Sequence, residues 1–595
     1  MNATKNYTNL KIAKLLRKIA AAYTLLGENR FKVIAYDNAA TAVEHATSEL
    51  KDLWDDGKLG AIPGLGSSIQ SHLEELFKTG KSRHFDSILK KINPAVFPLL
   101  DVPGIGPKKA QKLVETLHIK SARSVLSGLE KATKEHKIAA IPDFGEKSEQ
   151  DILEGIERFK RGSIKEKRMV LPLADATANE LIDYLHQKLG RLAKRIDKLG
   201  SLRRQAATIG DIDLAIATND FAAATEAFTS YPKKVRLIEK GPSGASLLLA
   251  SGRQADMRVS RPDDYGAMLQ YFTGSKYHNI RLRDFALKNG LSLNEYGIKN
   301  VKTGKLHTFS TEEDFYHFLC LDFIPPELRE DAGEIDAAKD HALPGLIELQ
   351  DVKGDLQMHS NFDLDTSHDP GNNSIKELRE AGEQLSYDYV GITNHNPSTS
   401  KHTKEQIIAK LKSQTKIIEQ INSTTKNTRV LSLLEVDISP DGSLTVPDEG
   451  LENLDACLVS IHSVFNMSKD QMTKRILKGF SHPVARILAH PTGRLLEQRE
   501  GYELDWEQVF HFCLEHDKAL EINCYPNRLD LPDVLVREAV KKGVKLSLGT
   551  DSHVKEDLVN MRYGVSVARR GWAEKKDIIN TWSYARILDW LHKRI

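Results

Sequence analysis

The chain is 595 residues long, with 84 Lys and Arg against 82 Asp and Glu, and it is 40% hydrophobic and 28% charged. Such a length predicts about three to five structural units. No segment approaches the ~20 consecutive apolar residues that span a bilayer and the charged N-terminus has no signal-peptide core, so we expect a cytoplasmic protein rather than a membrane or exported one.

Charge is distributed unevenly along the chain. Residues 1–160 carry a net charge of +5, whereas residues 341–595 carry −5. This favours a front part that binds a polyanion and a carboxylate-rich back part that binds metal ions. The cysteines lack the paired spacing of a zinc site, which predicts reduced thiols.

The first 160 residues predict short amphipathic helices interrupted by a recurring turn. Three copies stand about 40 residues apart, I-P-G-L-G at 62–66, V-P-G-I-G at 102–106 and I-P-D-F-G at 141–145. Glycine permits positive φ angles in such a turn and lets backbone N–H groups approach a phosphate at the next helix N-terminus. This favours hairpins that bind a nucleic-acid backbone over plain helical packing for the first two copies. The predicted DNA-binding residues are Gly64, Gly66, Gly104, Gly106, Lys108 and Lys109. Asp143 would repel phosphate, so the third copy is expected to be structural.

From about residue 166, helices alternate with β-branched strands that carry acidic residues. Asp211 and Asp213 are separated by a single residue, so a strand directs both side chains to the same face. A later strand adds Asp256, and three carboxylates can hold two Mg²⁺ ions about 4 Å apart. The preceding Gly200-Ser201 turn and Arg204 are suited to holding a triphosphate. The combined pattern predicts two-metal nucleotidyl transfer.

These motifs, with Tyr271-Phe272-Thr273-Gly274-Ser275 and L-N-E-Y-G-I at 293–298, resemble the family X DNA polymerases, the group of DNA polymerase beta. The resemblance covers about residues 1–325 and implies Mg²⁺ or Mn²⁺ in the palm, dNTP as substrate, and gapped or primer–template DNA as partner. It implies that Tyr271, Phe272, Gly274 and Ser275 line the nucleotide, that Asn279 contacts the incoming base, that Arg283 contacts the template strand, and that Arg258 neighbours Asp256.

One position departs from the lyase-active members of that group. Those members use a lysine in the helix after the first hairpin as a Schiff-base nucleophile. Ser68 and His72 stand in that helix here. We therefore expect little or no deoxyribose-phosphate lyase activity by this route.

From residue 353 onward, short apolar strands alternate with helices and end in metal-binding residue types. The candidate ligands are His359, His395, Glu435, His462, His490, Asp551 and His553. Such ligands suit Zn²⁺ or Mn²⁺, and the active sites of β/α barrels lie at the carboxyl ends of strands. The segments I-T-N-H, E-V-D-I, S-I-H-S, A-H-P-T-G-R and T-D-S-H resemble the PHP (polymerase and histidinol phosphatase) domain. That resemblance implies up to three metal ions and hydrolysis of phosphodiesters, as a 3′–5′ exonuclease or an abasic-site endonuclease.

Three features depart from the usual PHP motifs. Gln357 replaces the first histidine of H-x-H, Asn394 replaces the aspartate of T-D-H, and an expanded segment follows His359, in which Asp363 or Asp365 could supply the missing acid. Asn394 would orient the neighbouring histidine less well. We expect a weakened or reshaped metal cluster, and both an active exonuclease and a structural domain that positions DNA stay open.

The chain is thus predicted to be a multidomain protein of α and α/β domains. The expected parts are a helical domain with a helix-hairpin-helix (1–90), a second helix-hairpin-helix subdomain (91–165), a polymerase beta-like nucleotidyltransferase palm (166–260), a nucleotide-selecting subdomain (261–330), a linker (331–352) and a PHP domain with a distorted β/α barrel (353–595). The predicted function is gap filling in DNA repair, such as base excision repair, by a nucleoid-associated monomer. A PHP-type metallophosphatase and a non-catalytic DNA-binding scaffold are the alternatives.

Overall fold

The structure, a computed structural model, describes residues 9–44, 50, 54, 59, 65–100, 102, 105–119, 121–122, 125–142, 144–145, 148–150, 152–153, 156 and 168–593. It divides into two compact units, Met1–Lys167 and Arg168–Ile595. Within the described ranges, no helix has the length and apolar character needed to cross a membrane. All four cysteines carry free thiols.

The first unit is built from short helices around one apolar core. Their bounds are Asn9–Leu25, Arg30–Glu44, Ser67–Thr79, Arg83–Leu89, Val96–Leu99, Pro107–Thr116 and Val125–Lys134. In the first helix, Ile12, Leu16, Ile19 and Tyr23 recur every three or four residues and are all buried. The predicted amphipathic helix is therefore present, and its apolar stripe faces the core.

The recurring turn has the same hydrogen bonds in its second and third copies. Ile105 N donates to Val102 O, and Phe144 N donates to Ile141 O. Gly66 and Gly106 each cap the following helix, with φ of −65° and −81°. The expected positive φ angles are therefore wrong for these two glycines. Among the residues that the structure describes, and apart from the chain neighbours, a Cβ at either glycine would find no atom within 4 Å. Gly64, Gly104 and Asp143 lie outside the described residues.

The palm contains a five-stranded sheet. Its strands and those of a short ladder beside it are β1 (Met169–Val170), β2 (Arg195–Lys198), β3 (Thr208–Ile209), β4 (Ile212–Ala217), β5 (Lys234–Lys240), β6 (Gly244–Leu249) and β7 (Gln254–Ser260). The sheet order is β2-β4-β7-β6-β5, with β4 and β7 parallel. Helices Leu171–Leu189, Gly200–Arg203 and Phe221–Thr229 accompany these strands. The strands that carry Asp213 and Asp256 are thus adjacent within the sheet.

The next subdomain, the thumb, combines helices with a small antiparallel sheet. Its helices are Tyr265–Thr273, Lys276–Lys288 and Glu312–Phe318, and its strands are β8 (Leu291–Asn294), β9 (Gly297–Asn300) and β10 (Leu306–His307). The stretch expected to be a linker contains helix Glu334–Lys339, whose Ile335 and Ala338 are buried in the thumb core. Buried Glu334 accepts from His278 Nδ1 at 2.6 Å. This helix of the expected linker is therefore packed in the thumb core.

The C-terminal domain is a β/α barrel of parallel strands, as expected. Its strands are β11 (Gly354–Met358), β12 (Tyr389–Ile392), β13 (Arg429–Ser432), β14 (Glu435–Asp437), β15 (Cys457–Ser460), β16 (Ala485–Leu488), β17 (Ala519–Asn523) and β18 (Lys545–Gly549). Its main helices are Ile375–Gln384, Lys404–Thr424, Lys469–Phe480, Trp506–Glu515, Asp533–Lys542, Met561–Arg570 and Tyr584–Leu591. Strands β11–β13 and β14–β18 form two sheets. Backbone bonds join them at both seams, from Asp551 N to Gln357 O (2.9 Å) and from Glu435 N to Asn394 O (3.1 Å). This closure brings the strand ends around one centre.

Candidate metal centres and nucleotide site

Asp213 and Asp256 are direct register partners on β4 and β7. Side chains of register partners on parallel strands point to the same face of the sheet, and Asp211 precedes β4 on that face. Burial, with the charges of Asp256 and Asp211, raises the pKa of Asp213 to about 7. The three carboxylates therefore carry more negative charge than their surroundings compensate, which fits a site for divalent cations.

Asp256 is held by two neighbours that sequence reasoning missed. Gln254 Nε2 donates to both carboxylate oxygens at 3.0 Å, and Ser246 Oγ donates to Oδ1. Gln254 lies two residues before Asp256, so strand alternation places both on one face. Ser246 is the register partner of Asp256 on β6. Only the sheet pairing reveals this contact.

Gly200 is required by its contact with Asp213. Its φ is +56°, and a Cβ there would lie 2.5 Å from Asp213 Oδ2. The backbone amide of the preceding residue, Leu199, donates to Asp213 O at 2.8 Å. The Gly200-Ser201 turn therefore lies directly against the carboxylate cluster, and helix Gly200–Arg203 carries the turn toward Arg204.

Arg204 crosses from the palm to the thumb. Its Nη1 donates to the Thr273 carbonyl and would lie 3.2 Å from a Cβ on Gly274. Its Nε donates to Glu330 Oε1 at 3.0 Å. The predicted triphosphate ligand thus lies beside the Y-F-T-G-S segment, but one of its donors is paired with a carboxylate that the sequence did not indicate.

The thumb side chains form a compact group around the Y-F-T-G-S segment. The Arg258 guanidinium lies 5.2 Å from the Phe272 ring centre, and that of Arg283 lies 5.3 Å from the Tyr271 ring centre. Asn279 Nδ2 donates to Tyr271 O at 2.7 Å. Ser275 caps helix Lys276–Lys288 by accepting from the His278 amide. The predicted nucleotide-selecting residues are therefore brought together, with Arg258 linking them to the β7 strand.

Glu435 is the centre of the barrel site. Its Oε1 lies 2.8 Å from His490 Nε2 and 3.4 Å from His462 Nε2. Its Oε2 lies 3.4 Å from His395 Nδ1 and 3.6 Å from His359 Nε2. One buried carboxylate thus connects histidines from four strand ends, which accounts for the strand-by-strand pattern in the sequence.

All seven predicted ligands belong to this site. Four groups have ligand atoms within 4.8 Å of one another: His359, His395 and His553; His368, His395 and His462; Glu435, His462 and His490; and His359, Glu435 and Asp551. Asp551 Oδ1 lies 3.0 Å from His359 Nε2, which ties the two ends of the barrel sequence together. Overlapping groups of this kind suit a cluster of several Zn²⁺ or Mn²⁺ ions.

Sequence reasoning missed His368 and Asp437, which contact the predicted ligands of the site. Asp437 Oδ1 accepts from His462 Nδ1 at 2.6 Å, and its Oδ2 lies 2.9 Å from His368 Nε2. Asp437 follows Glu435 by two residues on β14 and so shares its face, a signal that was present in E-V-D-I. His368 stands in an irregular segment whose path no sequence pattern indicates.

The expanded segment after His359 supplies this histidine and not an aspartate. Asp365 pairs instead with Lys401 at 3.0 Å and with His402 at 3.3 Å, and Asp363 is exposed. The expectation that Asp363 or Asp365 replaces the missing acid is therefore wrong, and His368 lies where the cage needs a ligand.

Asn394 does not orient the histidine beside it. Its Oδ1 accepts from Ser360 N at 2.6 Å, and its Nδ2 donates to Gln414 Oε1 at 2.9 Å. It thus fixes the residue that follows His359 and ties it to helix Lys404–Thr424. An amide suits this role because Asn394 both accepts and donates.

Gln357 is fully buried inside the cage. Its Nε2 donates to Glu435 Oε2 at 3.1 Å, and its Oε1 accepts from Asn523 Nδ2 at 3.3 Å. Asn523 Nδ2 also reaches Asp551 Oδ2 at 3.1 Å. Two amide donors therefore face carboxylates of the site.

Most pKa shifts in the cage favour the forms that ligate metals, whereas the charges of Glu435 and Asp437 outweigh burial and raise the pKa of His462. Burial lowers the pKa of His395 well below its ordinary value, and burial lowers that of His490 as well. Burial alone would raise the pKa of Glu435, but its histidine neighbours outweigh burial and hold it well below its ordinary value. Neutral imidazoles and ionised carboxylates are the forms that ligate metals. In addition, the buried Nδ1 atoms of His359 and His490 and Glu521 Oε1 have no hydrogen-bond partner.

Comparison with known proteins agrees with both sites. Family profiles match residues 268–330 (DNA polymerase beta thumb), 7–82 (helix-hairpin-helix domain) and 97–158 (SAM-like helix-hairpin-helix tandem). The chain is 35% identical over 574 residues to the DNA polymerase/3′-5′ exonuclease PolX of Bacillus subtilis, covering 96% of this chain and 97% of that protein. It is 24% identical over 356 residues to DNA polymerase lambda of Arabidopsis thaliana, covering 54% of this chain and 62% of that protein. Over 218 residues it is 26% identical to a "probable phosphatase" of Thermoanaerobacter sp. (strain X514), covering 35% of this chain and 82% of that protein.

Proposed function

Because this chain belongs to the PHP-containing family X DNA polymerases, we propose that it fills short gaps during DNA repair and trims 3′ ends in its barrel site. The register pairing of Asp213 with Asp256, beside the Gly200-Ser201 turn, is the observation that carries the polymerase part. The Glu435-centred cage carries the exonuclease part.

In the palm, Asp211, Asp213 and Asp256 would hold Mg²⁺ or Mn²⁺, which when bound lowers the pKa of the primer 3′-hydroxyl and neutralises the leaving pyrophosphate. Ser201 and Arg204 bind the triphosphate, because they lie between the carboxylate cluster and the thumb. Asp256 faces the attacking hydroxyl and accepts its proton as the new bond forms. Ser246 and Gln254 keep that carboxylate oriented while the hydroxyl attacks the α-phosphate in line.

Nucleotide selection is the role proposed for the thumb group. Tyr271, Phe272 and Gly274 line the sugar, and Asn279 and Arg283 face the base and the template. Asn279 is already fixed by its bond to the Tyr271 carbonyl. Its orientation therefore costs little entropy when the nucleotide binds.

DNA binding is proposed for the helical unit. Lys108 and Lys109 are exposed in the first turn of helix Pro107–Thr116, directly after the uncrowded Gly106. Backbone amides and lysines at a helix N-terminus bind phosphate without reading base sequence. Such binding suits a repair enzyme that acts at gaps anywhere in the genome and predicts a strong dependence on salt.

In the barrel, His359, His395, Glu435, His462, His490, Asp551 and His553 would hold Zn²⁺ or Mn²⁺, which supplies a hydroxide-like nucleophile when bound. Asp437 fixes His462 through Nδ1 and leaves its Nε2 directed at Glu435. Arg528, whose Nε lies 3.5 Å from Asp551 Oδ2, is the cationic side chain of the site and is suited to holding the scissile phosphate.

A nuclease assay in a polymerase-inactive protein tests the two activities separately. Asp211→Ala with Asp213→Ala should abolish primer extension and leave the 3′ end shortened step by step in Mn²⁺. Adding His490→Ala should stop the shortening, because it removes a buried partner of Glu435. Shortening that persists in the triple variant, or none in the double variant, would contradict a barrel exonuclease.

A small-molecule phosphatase is the second candidate for the barrel, since the "probable phosphatase" relative matches 218 residues of this chain. It predicts turnover of a small phosphate monoester that His490→Ala abolishes, with no shortening of DNA. A non-catalytic scaffold predicts that Asp256→Ala changes neither extension nor shortening. The buried, charge-dense carboxylate clusters at both sites argue against a scaffold, because such clusters are costly without a cation.

A further inference from the structure

Arg570 ends helix Met561–Arg570 of the barrel domain and lies against the palm. Its Nη1 donates to the Arg204 carbonyl at 2.8 Å and to Glu330 Oε1 at 3.0 Å. Arg204 Nε donates to the same oxygen at 3.0 Å. Two guanidinium groups, one from each domain, therefore share a single carboxylate oxygen.

Asp533 holds Arg570 from its other side. Arg570 Nε donates to Asp533 Oδ2 at 2.7 Å, and the Arg570 side chain is only 10% exposed. Burial would raise the pKa of Glu330, but the charges of Arg570 and Arg204 outweigh burial and keep it below its ordinary value. Glu330 is therefore an ionised carboxylate, and its side chain is 33% exposed.

Glu330 is also attached to the nucleotide-selecting segment. The carbonyl of the residue before it, Arg329, accepts from Ser275 N at 3.1 Å. Arg204 donates to the Thr273 carbonyl on the same segment. Glu330 and the triphosphate are therefore competitors for the donors of one arginine.

This competition gives Arg570 a role in catalysis. If Glu330 had Arg204 as its only partner, each nucleotide that took Arg204 would leave a carboxylate that is only 33% exposed without a cationic partner, which is unfavourable because water replaces that partner only in part. Arg570 stays with Glu330 while Arg204 turns its donors to phosphate. We propose that Arg570 is a positioning residue for nucleotide binding, by which the barrel domain completes the polymerase site. This proposal rests on the proposed triphosphate role of Arg204.

Single-nucleotide incorporation by the full-length protein tests it. Arg570→Met should raise the KM for dNTP about tenfold, within the range of couplings measured for contacting charged groups, and change kcat little. Adding Glu330→Gln should restore the KM, because a neutral amide no longer holds Arg204. A purely structural role of Arg570 predicts no such rescue. Arg569→Met is the matched control, since Arg569 on the same helix pairs with Glu327 at 2.7 Å and should leave the KM unchanged.

Arg204→Met separates the two proposals. An unchanged KM in this variant would contradict the triphosphate role itself. A raised KM in Arg204→Met with an unchanged KM in Arg570→Met, or no rescue by Glu330→Gln, would overturn the role of Arg570 alone. Unfolding temperatures show that the variants are folded. If Arg570→Met does not fold, Arg570→Lys, which cannot donate to Asp533 and Glu330 in the same geometry, should raise the KM about threefold, and an unchanged KM would overturn the proposal.

Discussion

Asp213 and Asp256 are register partners on adjacent parallel strands, and burial together with the repulsion between the two carboxylates raises the pKa of Asp213 to about 7. The metal-free palm is therefore strained by its own carboxylates at neutral pH. A cation bound between them relieves that repulsion, so metal binding and the stability of the palm are linked.

Asp213→Asn is expected to stabilise the metal-free protein at neutral pH while abolishing nucleotide incorporation. Because the folded-state pKa of Asp213 lies above its ordinary value of 3.8, the protonated form is favoured in the folded state. The stabilisation that comes from this protonated carboxyl group is then fully present below about pH 4 and is lost as the pH rises through about 7. The unfolding temperature of Asp213→Asn minus that of the parent, measured in EDTA, should grow over this interval. A difference that does not change with pH would contradict the raised pKa.

Gly200→Ala should reduce nucleotide incorporation by at least about tenfold, a barrier increase of ~1.4 kcal/mol. The added Cβ would lie 2.5 Å from Asp213 Oδ2 and displace that carboxylate. Gly190→Ala is a matched control, because Gly190 has a similar φ of +49° but no atom within 4 Å of the Cβ position. Both variants should lose about 1 kcal/mol of stability from backbone strain. Equal activity losses in primer extension would show that strain, and not the carboxylate, is responsible.

Asp437→Asn should weaken metal binding in the barrel by about 10- to 100-fold, the usual effect of losing a residue that orients a ligand. The amide can no longer accept from both His462 and His368 as a carboxylate does. The Mn²⁺ concentration that gives half-maximal 3′-end shortening measures this effect. Asp441→Asn is the control, since Asp441 lies on an exposed turn, its carboxylate bonds to Ser443, and its carbonyl, which the substitution keeps, accepts from Lys478 Nζ at 2.8 Å.

Gln357→His should lower the Mn²⁺ concentration needed for half-maximal exonuclease activity. It replaces an amide donor that points at Glu435 with an imidazole that offers a lone pair. Gln357→Leu has a similar size but neither the amide donor nor the imidazole. It therefore shows how much of the effect comes from losing the hydrogen bond to Glu435 alone. An unchanged metal requirement in Gln357→His, with the protein folded, would mean that this position does not reach the ion.

No Schiff-base adduct is expected when the protein is treated with borohydride in the presence of a 5′ abasic end. Neither Ser68 nor His72 offers a primary amine, and the His72 ring is stacked on His84 at 4.1 Å. Burial lowers the pKa of both histidines. His72→Lys, which supplies the missing primary amine, should restore adduct formation, and covalent trapping on a gel measures it. Efficient trapping by the unmodified chain would contradict the expectation and point to another lysine.

The chain order of residue types was enough to predict the kinds of domain and most of each site. Strand alternation alone places Asp211 and Asp213 on one face, and the repeated strand-then-ligand pattern predicts the histidines that surround Glu435. Helical spacing likewise predicts the buried stripe of the first helix. These are local properties, set by side-chain direction over a few residues, and a sequence records them directly.

Only the tertiary structure decided which distant residues meet. His368 enters the cage instead of Asp363 or Asp365 because of the path of an irregular segment, and Asn394 bonds to Ser360 and Gln414 instead of to its neighbour. Arg570 reaches Glu330 and Arg204 from more than 200 positions away along the chain. Such contacts depend on how whole domains pack. Burial then strengthens the interactions between their charges, since the same charges in water would interact weakly.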